Sequence, residues 1–543
     1  MNRQKKRDLI SLGDKAPSWL LGKVFLCPPN VGSVCELLKV ILAESSADAL
    51  LFWDVSNPLP AREFLDKLLE EQIQVWHGGL KMGMHGLPHI IDFVSPCWML
   101  NCDVPSVAAS TSWRLSLKAC LIRTDVLRKM GGIYQEFQSL EAAGLEMGHR
   151  FITRGVLMRY IPEMSRALSP HPIPEISFED EIRFIFFRFG KFWMRWALSR
   201  SAISGYVKAP TAFNAWKKVK MEARPLVPQP YCHMNHCQTI SGTPKVSVLI
   251  PTLKRYGYLR QLLPQLAGQT VKPFEIIIVD QTPEIKRDHK IGEDFRHLPL
   301  RIIYQDQPGQ CASRNEGLVL AKGEYILFLD DDDEIFHDFI EKHLQNMSRF
   351  KTRVSSGVAY ERGAGDLPEN FSFTRASDVF PTNNTMIERC VLEKSGLFDL
   401  AFNRKQRADG DLGMRIYMSG EEMVLNPEVL VIHHHSSQGG LREHKARKET
   451  YAASRSSVWT RRLLSDSEIY LGMRYFSKRQ VREMIWINIF SAFSLHGGII
   501  QKIIKFFISA FQLPGTLWAV RKSYLSAKLM TKTYPKIQAY KIK

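Results

Sequence analysis

A run of four aspartates directly after a buried strand constrains this chain more than any other feature. Residues 325–329 (YILFL) form a continuous apolar segment of strand length that leads straight into Asp330-Asp-Asp-Asp333. An isolated acidic run would more often be a solvated turn. Here the preceding strand places at least the first aspartates at a sheet edge, where crowded carboxylates repel one another. We therefore expect a hard divalent cation with oxygen ligands at this edge.

The surrounding sequence predicts a sheet of the α/β class. Further apolar strands are predicted at 246–250, 274–279 and 300–304, and helical spacing is found at 259–266 and 311–321. Strands that alternate with helices are typical of a mostly parallel sheet with helices on both faces. Ligands bind at the carboxyl ends of such strands, so Pro251-Thr252, Asp280 and the aspartate run should line one crevice.

Six motifs in this region carry a family resemblance. They are VSVLIPTLKR, EIIIVDQTP, CASRNEGLVLAKGEYILFLDDDDE, EKSGLFD, RADGDLGMRIYMSG and NPEVLVIHHHS. In order and spacing the series resembles the family 2 glycosyltransferases, which have a GT-A fold. The resemblance implies an enzyme that moves a sugar, with inversion, from a nucleoside-diphosphate sugar to an acceptor hydroxyl, using Mg²⁺ or Mn²⁺. It also implies a role in surface glycan or polysaccharide synthesis, with a glycan or lipid-linked acceptor.

The resemblance implies a donor-binding set. Pro251 and Thr252 match the loop beneath the nucleobase, and Asp280 matches the acid that contacts the base or ribose. Arg314 is placed to contact the nucleotide. Asp331 is expected to share ribose binding or to support the metal ligands.

The resemblance also implies a metal set. Asp330 and Asp332 match the outer members of the family's Asp-x-Asp motif, with Asp332 the better direct ligand. A histidine after the last strand is a further ligand in many relatives, so His433 is expected here, with His435 as its substitute. Alternation along a strand puts these two histidines on one face.

The expected catalytic base is Asp409. It takes the place of the second acid of the family's Glu-Asp pair, although Ala408 stands where the first acid would be. Asp411 is expected to assist with the acceptor or to cap the following helix. Arg442 follows two glycines in a segment that is expected to lie over the diphosphate.

The N-terminal part repeats the C-terminal pattern weakly. Segments 49–56, 120–132 and 143–150 parallel 325–332, 385–396 and 408–415. In this alignment Ser56 stands where Asp332 stands, and Gly144 stands where Asp409 stands. We therefore expect a degenerate, noncatalytic glycosyltransferase-like domain before the catalytic one.

The sequence divides into five predicted parts. These are a basic segment (1–19), the degenerate domain (20–221), a proline-rich linker (222–244), the catalytic GT-A domain (245–449) and a basic, amphipathic helical tail (450–543).

The tail carries most of the net charge. It holds sixteen Lys and Arg against three acids, so it contributes +13 of the chain's +18. Together with aromatic residues at 486, 490, 506, 507 and 518, this composition favours an interfacial helix on an anionic membrane. A helix packed on the protein is the alternative. Nucleic acid is not expected, because no nucleic-acid-binding motif accompanies the charge.

The expected location is the cytoplasm, at the inner face of the membrane. The first fifteen residues are basic but contain no apolar signal-peptide core. The nine cysteines are odd in number and mostly lie in apolar surroundings, which indicates reduced thiols.

Two other functions remain open from the sequence. A sugar nucleotidyltransferase would share the sheet and the metal, but it needs a glycine-rich phosphate loop where residues 251–255 read PTLKR. A noncatalytic glycan-binding or scaffold protein would fit the N-terminal repeat. It would leave Asp280, Asp332 and Asp409 without a purpose. Donor sugar, linkage and oligomeric state are not determined by any motif.

Overall fold

The structure is a computed structural model that describes most of the chain. The described residues are 6–13, 22–55, 57–79, 93, 99–102, 104–105, 108–166, 176–233, 242–363, 365–434, 451–534 and 536–541.

The N-terminal domain contains a sheet of seven strands. They are β1 (Arg7–Leu12), β2 (Val24–Cys27), β3 (Ala49–Asp54), β4 (Val75–His77), β5 (Ser110–Thr111), β6 (Ala119–Arg123) and β7 (Met158–Tyr160). Its helices are α1 (Val31–Glu44), α2 (Arg62–Leu69), α3 (Thr124–Met130), α4 (Leu140–Thr153), α5 (Pro162–Arg166), α6 (Phe178–Ile203) and α7 (Ala209–Val219).

The second domain contains a sheet of nine strands. They are β8 (Val246–Thr252), β9 (Glu275–Asp280), β10 (Leu300–Tyr304), β11 (Tyr325–Phe328), β12 (Asp333–Ile335), β13 (Val354–Glu361), β14 (Arg375–Ala376), β15 (Thr385–Glu388) and β16 (Met423–His433). Its helices are α8 (Tyr256–Ala267), α9 (Lys290–Asp294), α10 (Gln310–Leu320), α11 (Phe339–Phe350), α12 (Val391–Ser395) and α13 (Ala408–Met418).

The remaining residues form a helical C-terminal segment. Its helices are α14 (Tyr451–Ser456), α15 (Asp466–Tyr475), α16 (Lys478–Ser491), α17 (Ile499–Phe511) and α18 (Leu513–Thr533).

The α/β class predicted from the sequence is confirmed. Strands β10, β9, β8 and β11 run parallel side by side, and β15, β13 and β16 extend the sheet with mixed directions. The parallel strands are nearly continuous apolar runs because helices such as α8 and α10 cover them on both faces.

The two sheets share one topology. The N-terminal order β2-β1-β3-β6-β4-β7-β5 corresponds to β9-β8-β11-β15-β13-β16-β14, and chain order is preserved throughout. Each of the six pairings in the first sheet has the same direction as its counterpart in the second. The second sheet adds β10 and β12.

The register of the strands agrees with the sequence alignment of the repeat. Ala49 pairs with Arg123 across β3 and β6, and Tyr325 pairs with Glu388 across β11 and β15. These four residues occupy equivalent positions in the aligned segments. A shift of one residue would exchange the buried and exposed faces, so the shared register is a strong constraint.

The interface between the two domains has an approximate twofold character. Gly155 follows α4, and a Cβ there would lie 2.7 Å from the carbonyl oxygen of Thr374. Gly420 follows α13, and a Cβ there would lie 2.7 Å from the carbonyl oxygen of Ala109. Both glycines have φ near +90° or just below, and both face the residue before the partner domain's short edge strand. Equivalent surfaces of the two copies therefore pack against each other.

One predicted boundary is wrong. Residues 1–19 are not a separate segment, because Arg7–Leu12 is a fully buried strand between β2 and β3. The helical segment packs on the second domain through α15, because Tyr470 donates a hydrogen bond to Asp399 at 2.9 Å. The segment RDLISL is not a continuous apolar run, because it begins with the adjacent charged residues Arg7 and Asp8.

The aromatic residues 486, 490, 506 and 507 do not lie on one interfacial helix. Helix α16 ends at Ser491, and α17 begins at Ile499. On α16, Trp486 stacks on Phe490, which in turn packs edge-on against Trp196 of the N-terminal domain. Helix α16 is therefore packed on the protein, which is the alternative given by the sequence.

Candidate active site

The carboxyl ends of β8 and β9 form one wall of the site. Thr252 and Asp280 are partners in the register of these strands. The carboxylate of Asp280 is buried and accepts hydrogen bonds from the Tyr256 hydroxyl at 2.5 Å and the Thr282 amide at 2.9 Å. Pro251 is half-buried beside them. The residues expected beneath the nucleotide base therefore lie together.

The aspartate run forms the floor. Asp330 accepts a hydrogen bond from the Arg314 guanidinium at 2.7 Å, which ties the start of α10 to the end of β11. Asp331 is buried and accepts from the Thr252 hydroxyl at 2.7 Å. Asp333 turns inward and accepts from the Asp330 amide at 2.8 Å. Asp331 and Asp333 therefore hold the aspartate run in place.

Asp330, Asp332 and His433 form a candidate metal site. One ligand atom from each of them lies within 4.8 Å of the others. Strand β16 pairs with β12 so that His433 lies opposite Asp333, which brings the imidazole Nε2 to 3.4 Å from an Asp332 oxygen. Two carboxylates and an imidazole are suitable ligands for Mn²⁺. They are also suitable for Mg²⁺ if water and phosphate fill the remaining coordination positions. The donor set therefore fits the ion that the sequence predicted.

The ionisation of these groups reflects their crowding. Burial, reinforced by the Asp332 charge and opposed by Arg255, raises the pKa of Asp331 to about 7. Burial disfavours the His433 imidazolium, but the hydrogen bond to Asp332 and the nearby Asp333 and Asp330 charges raise its pKa to about 9. Positive charge is strongly favoured at this point, as a metal site requires.

Arg255 is a site residue that the sequence reasoning missed. Its guanidinium lies 2.9 Å from Asp331 and 3.0 Å from Asp332, so it holds positive charge where the metal is expected. The pKa of Arg255 is raised by these two aspartates despite its burial. The signal was present, because a basic residue three positions after strand β8 shares the edge with the aspartates.

His433 and His434 have different partners. His434 points away from the metal trio, and its Nε2 lies 2.9 Å from a Glu334 oxygen. His435 and Arg442 lie outside the described residues.

Asp409 lies exposed in the first turn of α13. The loop before this helix is fastened to the start of α10, where Asn403 accepts a hydrogen bond from the Cys311 amide at 3.0 Å and Gln310 donates to the Phe402 carbonyl at 3.2 Å. Helix α10 also carries Arg314. The expected base is therefore connected to the donor-binding elements through α10, and its carboxylate is accessible to an acceptor.

Asp411 has a different role from the expected ones. It is fully buried, and Arg415 donates to it at 2.8 Å while the Tyr475 hydroxyl donates at 2.7 Å. Helix α13 begins after Arg407 without a side-chain cap. Asp411 neither caps the helix nor faces an acceptor; it joins α13 to α15.

The N-terminal domain has an acid–arginine pair like Asp411–Arg415, but it lacks the residues expected to bind the donor and to act as the base. Arg150 binds Glu146 one turn earlier on α4, as Arg415 binds Asp411 on α13. The shared strand register and the equal spacing between helix and strand show which residues are equivalent in the two domains. Pro28 occupies the position of Asp280, Leu38 that of Arg314, and Gly144 that of Asp409.

Comparison with known proteins finds a family match in the second domain. Residues 247–393 match Glycosyl transferase family 2. The match lies within the second domain and covers Thr252, Asp280 and the aspartate run.

Two curated relatives share this region. A putative glycosyltransferase EpsH from Bacillus subtilis is 37% identical over 109 residues, which is 19% of this chain and 30% of EpsH. A GalNAc(5)-diNAcBac-PP-undecaprenol beta-1,3-glucosyltransferase from Campylobacter jejuni is 29% identical over 134 residues, 24% of this chain and 42% of that protein. The matches thus span less than half the length of these relatives.

A solved structure also resembles the chain. A mannosyltransferase from Pyrobaculum calidifontis in complex with GDP-Man and Mn²⁺ is 15% identical, with a TM-score of 0.35, and the match covers 63% of this chain and 98% of that one.

Proposed function

We propose that this protein is an inverting glycosyltransferase that moves a sugar from a nucleoside-diphosphate sugar to an acceptor hydroxyl. The observation that carries the proposal is the joining of Asp330, Asp332 and His433 at the edge of a family 2 domain, beside Thr252, Asp280 and Arg314.

The chain's own residues supply positioning and proton transfer. Thr252 and Asp280 form the wall against which the nucleoside lies, and Arg314 with Asp330 positions the donor's phosphate end. Mg²⁺ or Mn²⁺ held by Asp330, Asp332 and His433 would neutralise charge that develops on the leaving diphosphate. Asp409 takes the proton from the acceptor hydroxyl as that oxygen attacks the anomeric carbon from the opposite side. Inversion follows from this single displacement.

We place the activity in the cytoplasm, at the inner face of the membrane, in the synthesis of a surface glycan or polysaccharide. The basic composition of the helical segment supports the membrane, and the undecaprenol-linked acceptor named for the Campylobacter relative suggests a lipid-linked acceptor here. Buried free thiols at Cys27, Cys120 and Cys311 support a reducing compartment.

We further propose that the N-terminal domain is a noncatalytic copy. It shares the topology and the buried Glu146–Arg150 pair but places Leu38 and Gly144 at positions where the second domain has charged groups. Its role is then structural, as the partner that covers the back of the catalytic domain.

The function is tested by screening nucleoside-diphosphate sugars for stabilisation against heat in the presence of Mn²⁺, followed by measuring donor hydrolysis and transfer. Asp332→Asn should abolish the metal-dependent stabilisation. Asp306→Asn is the matched control, because that side chain is 91% exposed and distant from the metal trio in sequence. Stabilisation that is equal with and without metal, or equal in the Asp332 variant, would contradict the proposal.

A further inference from the structure

On helix α17 polar side chains are buried and apolar side chains are exposed, which is the opposite of a surface helix in a water-soluble protein. Its buried side chains are Lys505 and Ser509, which are 1% and 6% exposed. Its large apolar side chains are 46–89% exposed: Ile499, Ile500, Ile503, Ile504, Phe506, Phe507 and Phe511. At about 100° per residue these side chains cover a face roughly 160° wide. A helix in water would bury such a face, so this face requires an apolar environment.

The polar side of α17 is its attachment to the protein. The Lys505 ammonium donates hydrogen bonds to the carbonyl oxygens of Ser457, at 2.9 Å, and of Thr460. The Ser509 hydroxyl donates to the Ala492 carbonyl at 2.9 Å. A buried ammonium must have such partners, and these bonds fix which side of the helix faces outward. The exposed apolar face is thus a property of the fold.

Helix α18 extends the same surface. Its Leu517, Trp518, Leu525 and Leu529 are 43–68% exposed. No single helix among the described residues meets the length and hydropathy needed to cross a bilayer, but α17 and α18 meet them as a pair bent by 61°. Helix α17 alone is about 20 Å long, shorter than the roughly 30 Å hydrocarbon core. The pair is therefore suited to lie within one leaflet.

The charge of this region indicates what covers the exposed apolar face. Residues 484–543 contain nine Lys and Arg and no Asp or Glu. Two copies of so basic a surface would repel each other, and basic groups beside exposed Trp and Phe side chains fit anionic headgroups above acyl chains. We propose that α17 and α18 are seated in the surface layer of an anionic lipid bilayer, with the outward face of α17 among the acyl chains. This proposal does not depend on sugar transfer.

The test is sedimentation of the full chain with vesicles of phosphatidylcholine, with and without phosphatidylglycerol. Phe507→Ser with Phe511→Ser should lower binding to anionic vesicles by about tenfold or more for each side chain. Leu226→Ser with Ile285→Ser is the matched control. Both side chains are 93% exposed, and neither belongs to the apolar surface of α17 and α18. Arg521→Gln with Lys522→Gln should weaken binding only when phosphatidylglycerol is present, by about fivefold per charge at low salt.

The outcomes separate the possible occupants. Loss of binding in the phenylalanine variant, with binding retained in the control variant and thermal midpoints unchanged in both, supports the proposal. Equal vesicle binding by the phenylalanine variant and the unmodified chain would overturn it. So would a dimer in vesicle-free solution that the phenylalanine variant converts to monomer, because the face would then be covered by a second copy.

Discussion

Asp409 and Asp411 are separated by one residue, but changing each to asparagine is expected to affect different properties: sugar transfer for Asp409 and stability for Asp411. Asp409 is exposed in the first turn of α13, whereas Asp411 is fully buried and bonded to Arg415 and Tyr475. Each substitution removes one negative charge and keeps the side chain's shape. Asp409→Asn should therefore impair transfer alone, and Asp411→Asn should impair stability first.

The magnitudes follow from burial. Asp411→Asn leaves Arg415 without its carboxylate partner, and Arg474, whose Nε lies 3.7 Å from Asp411, loses part of its compensation. Breaking a buried pair in this way costs roughly 3–5 kcal/mol, with the lower end expected here because both arginines retain some solvent contact. That corresponds to a fall of about 6–12 °C in thermal midpoint. Asp409→Asn should change stability by less than about 0.5 kcal/mol and lower transfer about 10²- to 10⁴-fold.

The assay combines thermal unfolding with release of the nucleoside diphosphate from the best donor, measured in Mn²⁺. Binding of that nucleotide to both variants, at a temperature where both are folded, serves as the control. The assignment of the base is refuted if Asp409→Asn transfers sugar at close to the unmodified rate. The structural role of Asp411 is refuted if its asparagine variant unfolds at the unmodified temperature.

Three further results are expected. Burial raises the pKa of Glu422 from 4.5 to about 7, so this carboxyl's contribution to stability is present below about pH 4.5 and lost as the pH rises through 7. In urea titrations Glu422→Gln should thus be more stable than the unmodified chain at pH 8 by roughly 2–3 kcal/mol and equal to it at low pH; equal stability at pH 8 would contradict this. Gly420→Ala should lower the thermal midpoint more than Gly363→Ala, because both have positive φ but only Gly420 faces a backbone oxygen of the other domain; equal effects would remove the packing argument. Arg255→Gln should tighten Mn²⁺ binding without nucleotide, measured by calorimetry, because no guanidinium then competes for Asp332; weaker binding would show that Arg255 supports the metal site.

Much of the second domain could be predicted because its signals are local. The strand predicted at 300–304 coincides with Leu300–Tyr304, and those at 246–250 and 274–279 differ from β8 and β9 by one or two residues. Continuous apolar runs identify strands that are buried on both faces, and the polar residues that end them mark one edge. The weak repeat was visible for the same reason, since each matched segment is a strand or a helix with its flanking glycine.

The remaining features depend on contacts between distant segments. Strand β1 is buried although RDLISL begins with two charged residues, because Arg7 pairs with Asp66 on α2. The sequence allows Asp411 as a helix cap, but in the structure this residue is bonded to Tyr475, from a helix far along the chain. Neither partner could be assigned from local spacing.

The sequence by itself determined the α/β class, the crowding of aspartates at the end of one strand, and the basic character of the C-terminal residues. Only the tertiary structure decided that Arg255 lies among those aspartates and that Asp411 is bonded to Tyr475 on α15. It also decided that α17 attaches by Lys505 and turns its phenylalanines outward. The physical reason is common to all three: periodicity specifies which residues share a face of an element, whereas packing against other elements specifies what that face meets.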